Sequence, residues 1–89
     1  MNKVAWSKIA LRQLEIIRAY IGQFNPMAAQ TLAQGLVAAG NSLANFPHRG
    51  RIVTAPDRRE LIAVYPYIIR YRVVGEQIRI LRVRHGMRR

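Results

Sequence analysis

Seven arginines crowd the last 25 residues of the chain, "YPYIIRYRVVGEQIRILRVRHGMRR" (residues 65–89): Arg70, Arg72, Arg79, Arg82, Arg84, Arg88 and Arg89. Each guanidinium is permanently charged and offers a planar fork of donors that fits a carboxylate or a phosphate through two hydrogen bonds. The chemistry open to such a segment is anion recognition. Catalytic and metal chemistry have less to work with. The four acids, Glu15, Asp57, Glu60 and Glu76, are scattered and none is paired in sequence, so no carboxylate dyad is expected. His48, in a basic loop, and His85 stand far apart and there is no cysteine, which leaves no metal-ligand spacing.

The charge of the whole chain points the same way. Fifteen Lys plus Arg face four acids, a net charge of +11, and thirteen of the fifteen cations are arginine. Such a chain repels itself and seeks anions: nucleic acid, a ribosome, an anionic membrane or an acidic protein. A length of 89 residues with 51% hydrophobic content implies a single domain, residues 1–89, with one modest core. The longest apolar run, "LIAVYPYII", has nine residues and a proline, well short of the ~20 that a membrane span requires. No signal peptide is visible in "MNKVAWSKIALRQ", and the lack of cysteine suits a cytoplasmic protein. No membrane and no cofactor are expected.

The elements that must hold the arginines follow from periodicity. "KVAW" (3–6) reads as extended and ends at Ser7, whose hydroxyl suits a helix N-cap. From Lys8 to about Gly22 the apolar residues Ala10, Leu14, Ile17 and Ile21, continued by Phe24, step by four and three, a helical stripe. Asn25 can cap a second helix and Pro26 can open it. Its stripe is Ala29, Leu32, Leu36, Ala39, Leu43 and Phe46. Gly35 and Gly40 have no side-chain bulk, which should let the second helix pack closely on the first. Residues 45–59 form a polar connection punctuated by Pro and Gly. "ELIAVY", "YIIRYRVV" and "QIRILRVR" then read as strands. The last two are joined by Gly75-Glu76, a two-residue turn with Gly first, as type II′ prefers. The expected fold is α+β in the order β-α-α-β-β-β, a helical hairpin packed on one face of a small, mainly antiparallel sheet.

With Gly75 and Glu76 as the turn, Val74 faces Gln77, and cross-strand partners share a face. Tyr67, Ile69, Tyr71 and Val73 then join Ile78 and Ile80 on an apolar face that covers the helices. Arg70, Arg72 and Arg79 occupy the other face, with Arg72 directly opposite Arg79. Like charges so placed are unfavourable, so this face is read as shaped for an anion or an acidic partner. Beyond Ile80, strict alternation would bury Arg82 and Arg84 at great cost. Either the strand frays before Arg82, or a bulge at Ile80-Leu81 reverses the faces and brings both arginines into the same basic field; the bulge is the expectation.

The stretches "VAWSKIALRQLEIIRAYI", "FPHRGR", "RELIAVYPYIIRYRV" and "IRILRVRHGMRR" together resemble the RelE/ParE superfamily of toxins from bacterial type II toxin–antitoxin systems, over essentially the whole chain. The frame of Arg59, Leu61, Tyr67, Tyr71, Arg72, Val73, Ile78, Ile80, Leu81, Val83 and His85 carries the likeness. It implies a partner, a cognate antitoxin with an acidic segment, which would answer the excess positive charge. It also implies one of two activities. RelE-like members are metal-independent, ribosome-dependent mRNA endonucleases. They need a base for the attacking 2′-hydroxyl, an acid for the leaving oxygen and cations on the phosphate. ParE-like members are taken to poison DNA gyrase.

Position matching separates the two branches. Arg59 keeps one of the alternating basic residues of the nuclease's second strand, but Leu61 and Ala63 replace the next two. Ile68 replaces an arginine, Arg88 keeps another, and the sequence ends at Arg89, before the tail that supplies the catalytic tyrosine. The expectation is a ParE-like toxin that blocks replication by binding gyrase, with Arg70, Arg72, Arg79, Arg82 and Arg84 as antitoxin- or target-binding residues. The alternative is a RelE-like nuclease acting on ribosome-bound mRNA through a reduced site of Arg59, His85 and Arg88. A basic nucleic-acid-binding module with no toxin role is a third reading.

Overall fold

Ser7 decides where the first strand gives way to a helix. Its hydroxyl accepts from the Ala10 N–H at 3.0 Å and donates to the Leu81 carbonyl at 3.0 Å. One side chain therefore caps the helix and ties its start to the last strand. A computed structural model describes residues 2–87; Arg88 and Arg89 lie outside the described residues. The elements run β1 (Lys3–Trp6), α1 (Lys8–Gly22), α2 (Pro26–Asn41), a 3₁₀ turn (Ser42–Ala44), β2 (Arg51–Ile52), β3 (Arg58–Val64), β4 (Tyr67–Val74) and β5 (Gln77–His85). Asn25 caps α2 through the Ala28 N–H at 3.0 Å, with Pro26 in its first turn.

The five strands form one sheet in the order β1-β5-β4-β3-β2, with β1 parallel to β5 and every other pair antiparallel. The expected architecture holds, with two changes in the connection read over residues 45–59: Arg58 and Arg59 belong to β3, and a short strand is added. Residues 51–52, read as loop, pair as β2 with Arg59 and Glu60 of β3. Gly75 has φ +59°, and among the described residues no non-glycine residue has positive φ, the pattern of a type II′ turn. Among the described residues no helix is long and apolar enough to cross a membrane.

Both helices lie on the sheet face formed by Ile69, Tyr71, Ile78, Ile80 and Val83, and with Ala10, Leu36 and Leu43 these make the core. Of the expected stripes, Ile21 is only half-buried and two members lie outside the core altogether. Phe24 and Phe46 extend the helical stripes beyond the ends of α1 and α2, where the chain turns away, and both are exposed. The glycines of α2 also serve another contact than expected. A Cβ on Gly40 would fall 2.4 Å from the Trp6 ring and 2.8 Å from Ile80, and one on Gly35 would meet Val64 at 3.1 Å. They bring α2 against the sheet, not against α1.

Candidate functional site

The strand registers define the face of the sheet that the helices leave open. One row across it is Ala5, Arg79, Arg72 and Arg58 on β1, β5, β4 and β3; the next is Arg82, Arg70, Glu60 and Arg51 on β5, β4, β3 and β2. A third row is Arg84, Ile68 and Ile62. Arg72 stands opposite Arg79 as expected. The bulge also falls where expected: Tyr71 pairs with Ile80 and Arg70 with Arg82, so Leu81 is the extra residue. Its carbonyl is held by Ser7, and the Val83 N–H, two residues on, donates to Gln13 Oε1 at 2.7 Å. All five arginines named from the sequence come together here, and Arg51 and Arg58 join them.

The expected field of unrelieved charge needs correction. Glu60 is buried at 7% exposure, and its Oε2 accepts from Arg70 Nε at 2.9 Å, Arg70 Nη2 at 2.7 Å and Arg84 Nη2 at 3.3 Å. Burial pushes the Glu60 carboxyl up, but the hydrogen bonds from Arg70 and Arg84 outweigh it and leave the group below its ordinary pKa. Asp57 accepts from Arg72 Nε at 2.6 Å, and that bond lowers its pKa. Three arginines are thus already partnered by acids. Their acids come from β3 and its approach, distant in sequence from the hairpin. Among the described residues no ion pair or side-chain hydrogen bond engages Arg51, Arg58, Arg79 or Arg82.

Arg59 points the other way. Its Nη1 donates to the carbonyls of Gly50 at 2.7 Å and His48 at 3.3 Å, pinning the loop after the 3₁₀ turn. Tyr71 fastens the same loop from within the core: its hydroxyl donates to the Pro47 carbonyl and accepts from the Gly50 N–H, each at 2.8 Å. Burial raises the pKa of that phenol. Tyr71→Phe is expected to cost about 1–2 kcal/mol, read as a lower denaturant midpoint, with faster amide exchange at Gly50. Leu61 and Ala63, the positions after Arg59 on the same side of β3, pack against the core.

His85 ends β5. Its Nδ1 accepts from the Met87 N–H at 3.1 Å, and its ring meets Tyr67 edge-on at 5.2 Å between centroids. Beside it a groove of about 360 Å³ opens between α1 and the sheet, lined by Ile16, Ile17, Tyr20, Tyr67, Val83 and His85 among others. Ile16 is 60% exposed, and the apolar surface continues through Tyr20 and Phe24, whose rings pack edge to face, to Met27. A 3.6-residue period puts Ile9, Ile16 and Tyr20 on one side of α1, next to its core stripe. The sequence reading followed that stripe and missed this neighbour, although the spacing of 9, 16 and 20 was there to find it. Among the described residues no three of His, Cys, Asp or Glu gather as a metal site.

The sequence matches, over residues 4–89, the family described as "ParE toxin of type II toxin-antitoxin system, parDE". It is 50% identical over 88 residues to the protein named Toxin RelE2 of Caulobacter vibrioides, with 99% of each chain covered. It is 35% identical to Toxin RelE1 of the same organism, covering 88% of this chain and 86% of that one. Among solved structures, the chromosomal ParDE TA system from P. aeruginosa superposes with a TM-score of 0.83 at 26% identity, with 96% of each chain covered.

Proposed function

The chain belongs to the ParE toxin family and is a toxin of a type II toxin–antitoxin system, and we propose that it acts by binding, poisoning DNA gyrase and blocking replication until a cognate antitoxin covers it. The relatives carry both RelE and ParDE names, so the branch is argued from the residues. One observation carries it: the only described cation matching the nuclease pattern, Arg59, is spent on the carbonyls of His48 and Gly50. The neighbouring positions 61 and 63 pack on the core, where a cation would be buried without a partner. His85 uses Nδ1 to hold the Met87 N–H and has no acid among its described partners. Ribonucleolytic cleavage needs a base, an acid and cations converging on one phosphate. Among the described residues this constellation is not assembled around Arg59 or His85.

The antitoxin is assigned to the groove beside α1. An amphipathic helix lays its apolar face into such a groove, and acidic residues on its flanks would meet a protein of net charge +11. The open arginine face then remains for the target.

Substituting His85 tests the nuclease alternative directly. His85→Ala is expected to retain growth arrest on induction without antitoxin, with DNA synthesis falling before protein synthesis in pulse labelling. Lost toxicity in a variant that still folds and binds antitoxin would favour the nuclease.

A further inference from the structure

We infer that the open face of the sheet is a seat for the phosphate backbone of duplex DNA, so that the toxin contacts the DNA its target works on as well as the target itself. The site is the pair of rows Arg79–Arg72–Arg58 and Arg82–Arg70–Glu60–Arg51. Adjacent strands lie ~4.8 Å apart and alternate residues of one strand ~6.7 Å apart. Three arginines abreast therefore span about 10 Å on a rigid sheet. Duplex DNA presents one charge per ~1.7 Å of its axis, so a patch of this size lies over several phosphates.

Charge and side-chain type select the occupant. The acids on and beside this face already hold Arg70, Arg84 and Arg72, whereas Arg51, Arg79 and Arg82 are exposed with no acid partner among the described residues, and Arg58, also exposed, feels Asp57 only through a longer-range attraction. Glu60 also orders Arg70 and Arg84, so that part of the array is held in place before any anion arrives. The paired strand positions on this face carry no aromatic side chain among the described residues; the apolar ones are Ala5, Ile62, Ile68 and Val74. Proteins that hold single strands or read RNA bases stack them on aromatic rings. A face with guanidinium groups and no aromatic platform suits backbone phosphates, which a duplex presents without exposing its bases. The choice of DNA over duplex RNA rests on the gyrase reading above.

The test is fluorescence anisotropy of the intact toxin with a labelled 20-base-pair DNA duplex between 50 and 300 mM salt. Four contacts predict a slope of log K against log salt near −4, since each phosphate contributes about −0.9. Arg79→Gln with Arg82→Gln removes two cations that hold nothing in the fold. That pair should reduce the slope by about 2 and weaken binding at 50 mM salt more than tenfold. Lys8→Gln with Arg12→Gln removes the same charge from α1 and should change binding less than threefold. No binding at 50 mM salt, equal losses in the two double variants, or tighter binding to single strands, duplex RNA or a Glu/Asp-rich peptide would overturn the inference. Gyrase inhibition is measured on the same samples. Inhibition without DNA binding sinks this inference alone, whereas DNA binding without inhibition sinks the proposed function and leaves the phosphate seat standing.

Discussion

Ile16→Asp is expected to weaken the complex with the cognate antitoxin about 100-fold while leaving the stability of the free toxin within about 0.5 kcal/mol. Ile16 is 60% exposed on the outer side of α1, so its loss removes little from the core. In the complex it would sit in the groove with Tyr20, Tyr67 and Val83. A carboxylate there would be desolvated against an apolar helix and would repel an acidic one. Truncating or inverting such an anchor costs about 2–4 kcal/mol at an interface, and 2.7 kcal/mol is a factor of about 100 in affinity. Titration calorimetry reads the affinity, and co-expressed antitoxin should no longer rescue growth. Unchanged affinity would move the antitoxin off this groove.

Glu60→Gln is expected to destabilise the fold by about 2–3 kcal/mol, a fall in Tm of roughly 10–20 °C. The amide cannot compensate Arg70 and Arg84, which are left on one face with Arg82, Arg70 in its row and Arg84 in the next. Fully buried pairs cost more when broken; here the arginines keep 30% and 41% of their exposure, and water screens part of the loss. Added salt should therefore restore part of the lost stability. The pH dependence has a definite sign. The folded-state pKa of Glu60 is lowered, so its contribution is present above the unfolded carboxylate pKa and is lost as pH falls through the folded value. Wild-type Tm should drop as pH falls below about 4, and Glu60→Gln should flatten that limb. Asp57 and Glu15, held low by hydrogen bonds from Arg72 and Arg18, shift in the same direction but are more exposed and matter less. A loss under about 0.5 kcal/mol would show that Glu60 is incidental to the fold.

What local pattern could carry, the sequence carried well. Ser7, Asn25 and Pro26 announced both helix starts, and the Gly75-Glu76 turn set the hairpin register. The cost of burying Arg82 and Arg84 was enough to place the bulge at Leu81. The misses were contacts between residues far apart in the chain. Glu60 reaches Arg84 across two strands and 24 positions, and Gln13 reaches Val83 across 70. No periodicity announces either. Arg51 was hidden in what read as a loop because a two-residue strand has too few positions to alternate, and Arg58 because β3 begins two residues before the apolar run that announced it. Phe24 and Phe46 kept helical spacing past the points where the helices end, so period alone over-extended the core.

A toxin that binds and does not cut is told from a nuclease by one paired assay. Purified toxin is added to gyrase with relaxed plasmid and, separately, to translating ribosomes with a labelled message. With a toxin that binds, supercoiling is expected to stop, the message to stay intact, and the antitoxin to restore supercoiling. Normal supercoiling alongside a cleaved message would contradict that reading and return Arg59, His85 and Arg88 to the centre of the site.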